Sequence, residues 1–141
     1  MKLLFVSALC IFTSLTISAQ LNLGITNHNH IALQVKDIQA AAQFYREVLQ
    51  LEPIAVPENL KAIRAWFKVG TYQIHLLDGR NHPINDDRNG RHLALFVKSI
   101  EDAAKYLESK GVQFHNQVRF DGVRQLYFSD LDGHLIELNQ Q

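Results

Sequence analysis

Residues 30–36, His-Ile-Ala-Leu-Gln-Val-Lys, return in altered form as residues 92–98, His-Leu-Ala-Leu-Phe-Val-Lys. No other feature constrains the chain as much. His30 and His92 lie 62 positions apart, and so do His75 and Glu137, with Ile74 and Leu76 matched by Ile136 and Leu138. A duplication of this length implies two copies of one supersecondary unit sharing a core.

Both copies alternate with the period of a half-buried strand. Ile31, Leu33 and Val35 fall on one face of the first and Leu93, Leu95 and Val97 on one face of the second, which leaves each histidine on the opposite face. Asp37 and Ser99 follow as N-caps, since their side-chain oxygens can accept from the free amides of a first helical turn. Ile38, Ala41, Ala42, Tyr45 and Val48 then form one apolar stripe, and Ile100, Ala103, Ala104 and Leu107 form the other. Gly111 ends the second helix.

Three strands are expected after each helix: residues 52–56, 62–69 and 71–78, then 112–117, 123–129 and 134–139. Asp121-Gly122 and Asp132-Gly133 supply turns, and the polar stretch 79–90 links the halves. The expectation is an α+β fold of two βαβββ repeats, about residues 28–78 and 91–139. Their strands would pair into one curved mixed sheet, a cup with the helices on its outer face.

If the apolar alternates face the helices, His30, His75, His92 and Glu137 all face the hollow. Symmetry would then bring two residues from each repeat to one centre. Imidazole nitrogen and carboxylate oxygen suit a divalent ion: Zn, Ni, Mn, Co or Fe(II). Glu137 and His75 are also the candidates for moving a proton beside it. Arg124 and Gln125, with Arg64 and Trp66 of the matching strand, are candidate substrate contacts, and Arg124 could hold an anion through its planar fork.

Composition excludes several classes. Fourteen basic residues balance fourteen acidic ones and no basic stripe occurs, so nucleic acid is not an expected partner. The single cysteine, Cys10, lies in a leader: Lys2, an apolar run over residues 3–11, then Ile17-Ser18-Ala19 before Gln20. This reads as a secretory signal peptide over residues 1–19. The run is shorter than the roughly 20 residues a membrane span needs, so no stable insertion is expected once the signal is removed. Residues 20–141 form one exported domain, periplasmic or secreted, without thiol chemistry.

The motif His30-Ile-Ala-Leu-x-Val, the helix end Phe44-Tyr45-Arg46-Glu47-Val48-Leu49, the second His92-x-Ala-x-x-Val and the closing Asp130-Leu-Asp-Gly-His-Leu-Ile-Glu-Leu138 resemble the vicinal oxygen chelate superfamily. That group includes glyoxalase I, fosfomycin-resistance thiol transferases, extradiol dioxygenases and bleomycin-binding proteins. The resemblance implies that His30, His92 and Glu137 match the three metal ligands shared by the thiol transferases and dioxygenases. Residue 75 matches a fourth position, glutamate in glyoxalase I and histidine here. Tyr127 aligns with a tyrosine of the thiol transferases, and Leu131 replaces the proline usual in the closing turn. A homodimer is also implied.

The expected function is that of an exported metal-dependent lyase, isomerase or dioxygenase of glyoxalase type, acting on a small oxygen-rich molecule. The alternatives are fosfomycin-type thiol transfer and non-enzymatic binding of a small molecule, as in bleomycin resistance. The thiol transferases carry a basic residue beyond the last ligand, which a chain ending at Gln141 would lack.

Overall fold

The computed structural model describes Leu23 and residues 27–84 and 90–140. The signal-peptide reading of residues 1–19 lies outside them. The first repeat is β1 (His30–Val35), α1 (Ile38–Glu47), β2 (Glu52–Ile54), a single 3-10 turn at Glu58–Leu60, β3 (Arg64–Val69) and β4 (Tyr72–Asp78). The second is β5 (His92–Val97), α2 (Ile100–Ser109), β6 (His115–Val118), β7 (Arg124–Ser129) and β8 (Leu135–Gln140). Each forms a four-stranded mixed sheet, in the orders β1-β4-β3-β2 and β5-β8-β7-β6.

The caps act as expected. Asp37 Oδ1 accepts from the amides of Gln39 and Ala40 at 2.9 and 3.0 Å, and Ser99 Oγ accepts from Asp102 at 3.1 Å. Past α2, Gly111 takes φ +69°, a left-handed conformation that costs a glycine little.

The repeat extends to hydrogen-bond register. His30 lies opposite Gln73 in the parallel β1–β4 ladder, and His92 lies opposite Leu135 in β5–β8, both 62 positions on. In the antiparallel ladders Trp66 faces His75 while Tyr127 faces Glu137, so here the offset falls to 61. Gly70 and Thr71 alone turn β3 into β4, whereas residues 130–134 turn β7 into β8, and the altered turn absorbs the difference. The structural counterpart of Trp66 is therefore Tyr127, and that of Arg64 is Gln125.

The helices pack on the apolar faces, α1 against β3 and β4, α2 against β7 and β8. Their buried side chains form one continuous cluster across both repeats. Ile74, Leu76, Ile100, Leu126 and Ile136 are fully buried within it, each contributing about 1.5–3 kcal/mol through removal from water.

The single sheet expected from the repeat is instead two. Among the described residues β1 pairs only with β4 and β5 only with β8. The halves are joined by polar side chains at one corner: the end of β1 is tied to the β7–β8 turn, where Asp132 Oδ1 accepts from the Lys36 amide at 3.0 Å and His134 Nε2 meets the Gln34 carbonyl at 2.8 Å. A third tie is the Arg80–Asp132 ion pair, 2.9 Å long with both side chains 5% exposed. The sheet edges at β1 and β5 are left without a neighbouring strand among the described residues.

Candidate metal centre

Strand alternation places His30, His75, His92 and Glu137 on the sheet faces away from the helices, but the four side chains meet as two pairs. Among the described residues no three histidine, cysteine, aspartate or glutamate side chains gather closely enough for one ion. His30 stacks on His75, ring centroids 4.1 Å apart and planes 12° apart. His92 Nε2 meets Glu137 Oε2 at 2.8 Å.

The second pair has the chemistry of a chelate. His92 Nδ1 lies 2.9 Å from the Gly90 carbonyl, which can only accept, so Nδ1 carries a proton and Nε2 is the ring nitrogen that faces the carboxylate oxygen. Two acceptors at such a distance need a proton or a cation to bind them together, and nitrogen with oxygen suits a borderline divalent ion. The two donors fit one edge of a metal site, and a third must come from elsewhere.

Glu137 is nearly buried and its other oxygen is held. Gln125 Nε2 and Asn139 Nδ2 both donate to Oε1, the second at 2.6 Å, and Gln125 Nε2 also reaches Asn139 Oδ1 at 2.9 Å. The carboxylate is thereby oriented with Oε2 toward His92. Tyr127 hydroxyl donates to Gln125 Oε1 at 3.4 Å, and its ring stands edge-on to His92 at 6.2 Å. Gln125, expected to touch substrate, is 3% exposed and holds the Glu137 carboxylate.

On the first sheet, Asn29 Oδ1 accepts from His30 Nδ1 at 2.6 Å, which leaves Nε2 as the donor atom of that ring. His75 Nε2 lies 2.7 Å from Gln73 Oε1, and Trp66 stacks on the far face of His75 at 4.4 Å and 13°. Burial, and then the neighbouring His30, hold the His75 imidazole below the usual histidine range. Its ring packs between those of His30 and Trp66.

The expected arginine contacts are displaced. Arg124 lies opposite Val118, one position out of phase with Gln125, and pairs with Glu101 of α2 on the helix side. Arg64 shares the face of Trp66, yet its Nη1 donates to the adjacent Ile63 carbonyl at 2.8 Å. Asn139, Asn29 and Gln73 were not foreseen. Asn139 had a signal in the sequence, since it follows Glu137 by two on a strand and must share its face.

A duplicated βαβββ fold with nitrogen and oxygen donors on its polar faces defines a class of proteins that includes metal-dependent enzymes. The family follows from the sequence: the profile of the glyoxalase/bleomycin resistance protein/dioxygenase superfamily matches residues 27–138, and the chain belongs to that superfamily. It is 30% identical over 126 residues to glyoxylase I 4 of Arabidopsis thaliana, covering 82% of this chain and 71% of that protein. It is 28% identical over 123 residues to the metallothiol transferase FosB of Staphylococcus epidermidis, covering 82% of each. The crystal structure of the fosfomycin resistance protein FosX from Listeria monocytogenes superposes with a TM-score of 0.66 at 26% identity, over 83% of this chain and 94% of that one.

Proposed function

We propose that the protein is an exported, metal-dependent enzyme of glyoxalase type, a lyase, isomerase or dioxygenase, acting on a small oxygen-rich substrate. The observation that carries this reading is the His92–Glu137 contact at 2.8 Å, with each side chain oriented from behind. His92 Nε2 and Glu137 Oε2 are two donors, and His30 Nε2 is the third. Because His30 lies on the other sheet, the site is completed in a homodimer, where the first sheet of one copy faces the second sheet of its partner. The free edges of β1 and β5 support that assembly.

An ion held by these residues would supply Lewis acidity toward neighbouring substrate oxygens. The chain supplies the rest. Gln125 and Asn139 fix Glu137 through Oε1, Oε2 is the carboxylate atom open to a proton, and the Tyr127 ring closes one wall beside His92.

Elemental analysis of protein purified without chelators tests the reading, together with sedimentation of the same sample. Near-stoichiometric metal in a dimer is expected, lost in His92→Ala and Glu137→Ala. Substoichiometric metal, with no uptake of added zinc, nickel, manganese or ferrous iron, would overturn it.

Thiol transfer is the second reading. It is favoured by the similarity to FosB and FosX and by a tyrosine beside the His92–Glu137 pair. Loss of thiol on incubation with fosfomycin and metal would select it, and no loss would remove it. Export, suggested by residues 1–19, is tested by N-terminal sequencing of protein recovered from outside the cytoplasm, where a chain starting near Gln20 is expected.

A further inference from the structure

Three positions recur in the two sheets with different chemistry. His92, Glu137 and Tyr127 occupy them in the second sheet, where the first two face one another as donor atoms. His30, His75 and Trp66 occupy them in the first, where nothing comparable happens: the rings lie parallel, with His75 in the middle at 4.1 Å from His30 and 4.4 Å from Trp66.

We propose that His75 is a positioning residue and not a metal ligand: its ring, backed by Trp66, sets the plane of the His30 imidazole and so aims His30 Nε2. The proposal rests on the reading of His30 as the third donor. Both faces of the His75 ring are covered by other rings, and its Nε2 is committed to Gln73 Oε1 at 2.7 Å. His30 is held from two directions, its Nδ1 by Asn29 Oδ1 at 2.6 Å and its face by His75. A hydrogen bond at one ring nitrogen still allows the ring to rock about that bond, and a flat neighbour removes this freedom. The duplicated surface has thus diverged: one copy supplies a donor pair, and the other supplies a single donor with the support that orients it.

The division predicts which substitutions at 75 are tolerated. A ligand must be replaced by a ligand, whereas a support needs only a flat ring. Zinc affinity, measured by competition with a chromophoric chelator, should stay within about threefold of the parent in His75→Phe. In His75→Ala it should fall about tenfold or more, the range seen when supports behind metal ligands are removed. Trp66→Ala, which leaves His75 unbacked, should move the same way by less. Ring ¹⁵N spectra of His30 in metal-free protein give a second readout. A single Nδ1-protonated form is expected in the parent and in His75→Phe, and a broadened or mixed form in His75→Ala.

Equal loss of affinity in His75→Phe and His75→Ala, to the level of His30→Ala, would make His75 a ligand and overturn the proposal. Unchanged affinity and unchanged His30 spectra in His75→Ala would overturn it as well. If His30→Ala binds zinc as well as the parent, the three-donor reading fails instead. The metal-free spectra then still decide whether His75 orients the ring.

Discussion

Tyr45 and Asp130, 85 positions apart, share a buried hydrogen bond: the Tyr45 hydroxyl donates to Asp130 Oδ2 at 2.9 Å. The other carboxylate oxygen accepts from the amides of Asp132 and His134 at 2.9 and 2.8 Å. Asp130 is thus fully engaged, its charge spread over three donors. The contact joins α1 of one repeat to the turn that feeds β8 of the other, and β8 carries Glu137.

Tyr45→Phe keeps the ring and removes the donor, leaving one lone pair of a buried carboxylate without its partner. A loss of about 1–3 kcal/mol is expected, read as a lower urea midpoint at unchanged slope. Burial, and then the Asp130 charge, push the Tyr45 hydroxyl well above the usual phenol range. A raised folded value means that the stabilisation is fully present below the unfolded phenol's value of about 10 and is lost as pH rises through the folded one. The gap between parent and variant should therefore be constant near neutrality and narrow in alkali. A gap that widens with alkali would contradict this account.

Arg80 and Asp132 make an ionic tie between the repeats, with each side chain 5% exposed. Removing one partner strands a buried charge, so Asp132→Ala should cost about 3–5 kcal/mol, and it also frees the Lys36 amide. Replacing both with apolar residues should cost much less than the sum of the single changes. A double-mutant cycle by chemical denaturation gives the coupling, and additive costs would show the pair to be incidental.

How much of this was legible in the sequence differs between face and partner. Period-two alternation assigned His30, His75, His92 and Glu137 to the polar faces and Ile74, Leu76, Ile136 and Leu138 to the core, because side-chain direction on a strand is set by the backbone alone. The caps at Asp37 and Ser99 were readable for the same local reason. Which residues meet depends on register and on how two sheets sit together. Between equivalent ladder partners, Lys68 with Gln73 and Ser129 with Leu135, the second turn holds one more residue, which shifted β7 by one position, sent Arg124 to the helix side and put Gln125 behind Glu137. Alternation within a strand carries no information on whether β1 and β5 pair, so one cup with four convergent donors was expected where the chain holds two separate pairs.

Arg124 offers a simple check on that shift. Its pair with Glu101 is half exposed on both sides, so Arg124→Ala should change stability by at most about 1 kcal/mol. Metal content and any turnover should be unchanged. A large rise in KM would place the guanidinium at the site after all and would contradict the observed register.

The His92–Glu137 contact makes a prediction about protons. With His92 Nδ1 bound to the Gly90 carbonyl, the 2.8 Å approach of Nε2 to Glu137 Oε2 requires a proton between them when no cation is present. A divalent ion bound by both atoms must displace that proton, because a lone pair given to metal is no longer available to hydrogen. Zinc uptake should therefore release the proton that this pair shares, read by titration calorimetry in buffers of different ionisation enthalpy. Glu137→Gln cannot share a proton in the same way, and its weaker uptake should release less. Asn139→Leu leaves both donor atoms in place but removes one of the two amides on Oε1. It should keep the proton release while weakening affinity about tenfold to a hundredfold. Full-affinity zinc binding with no proton released would mean that the ion binds elsewhere.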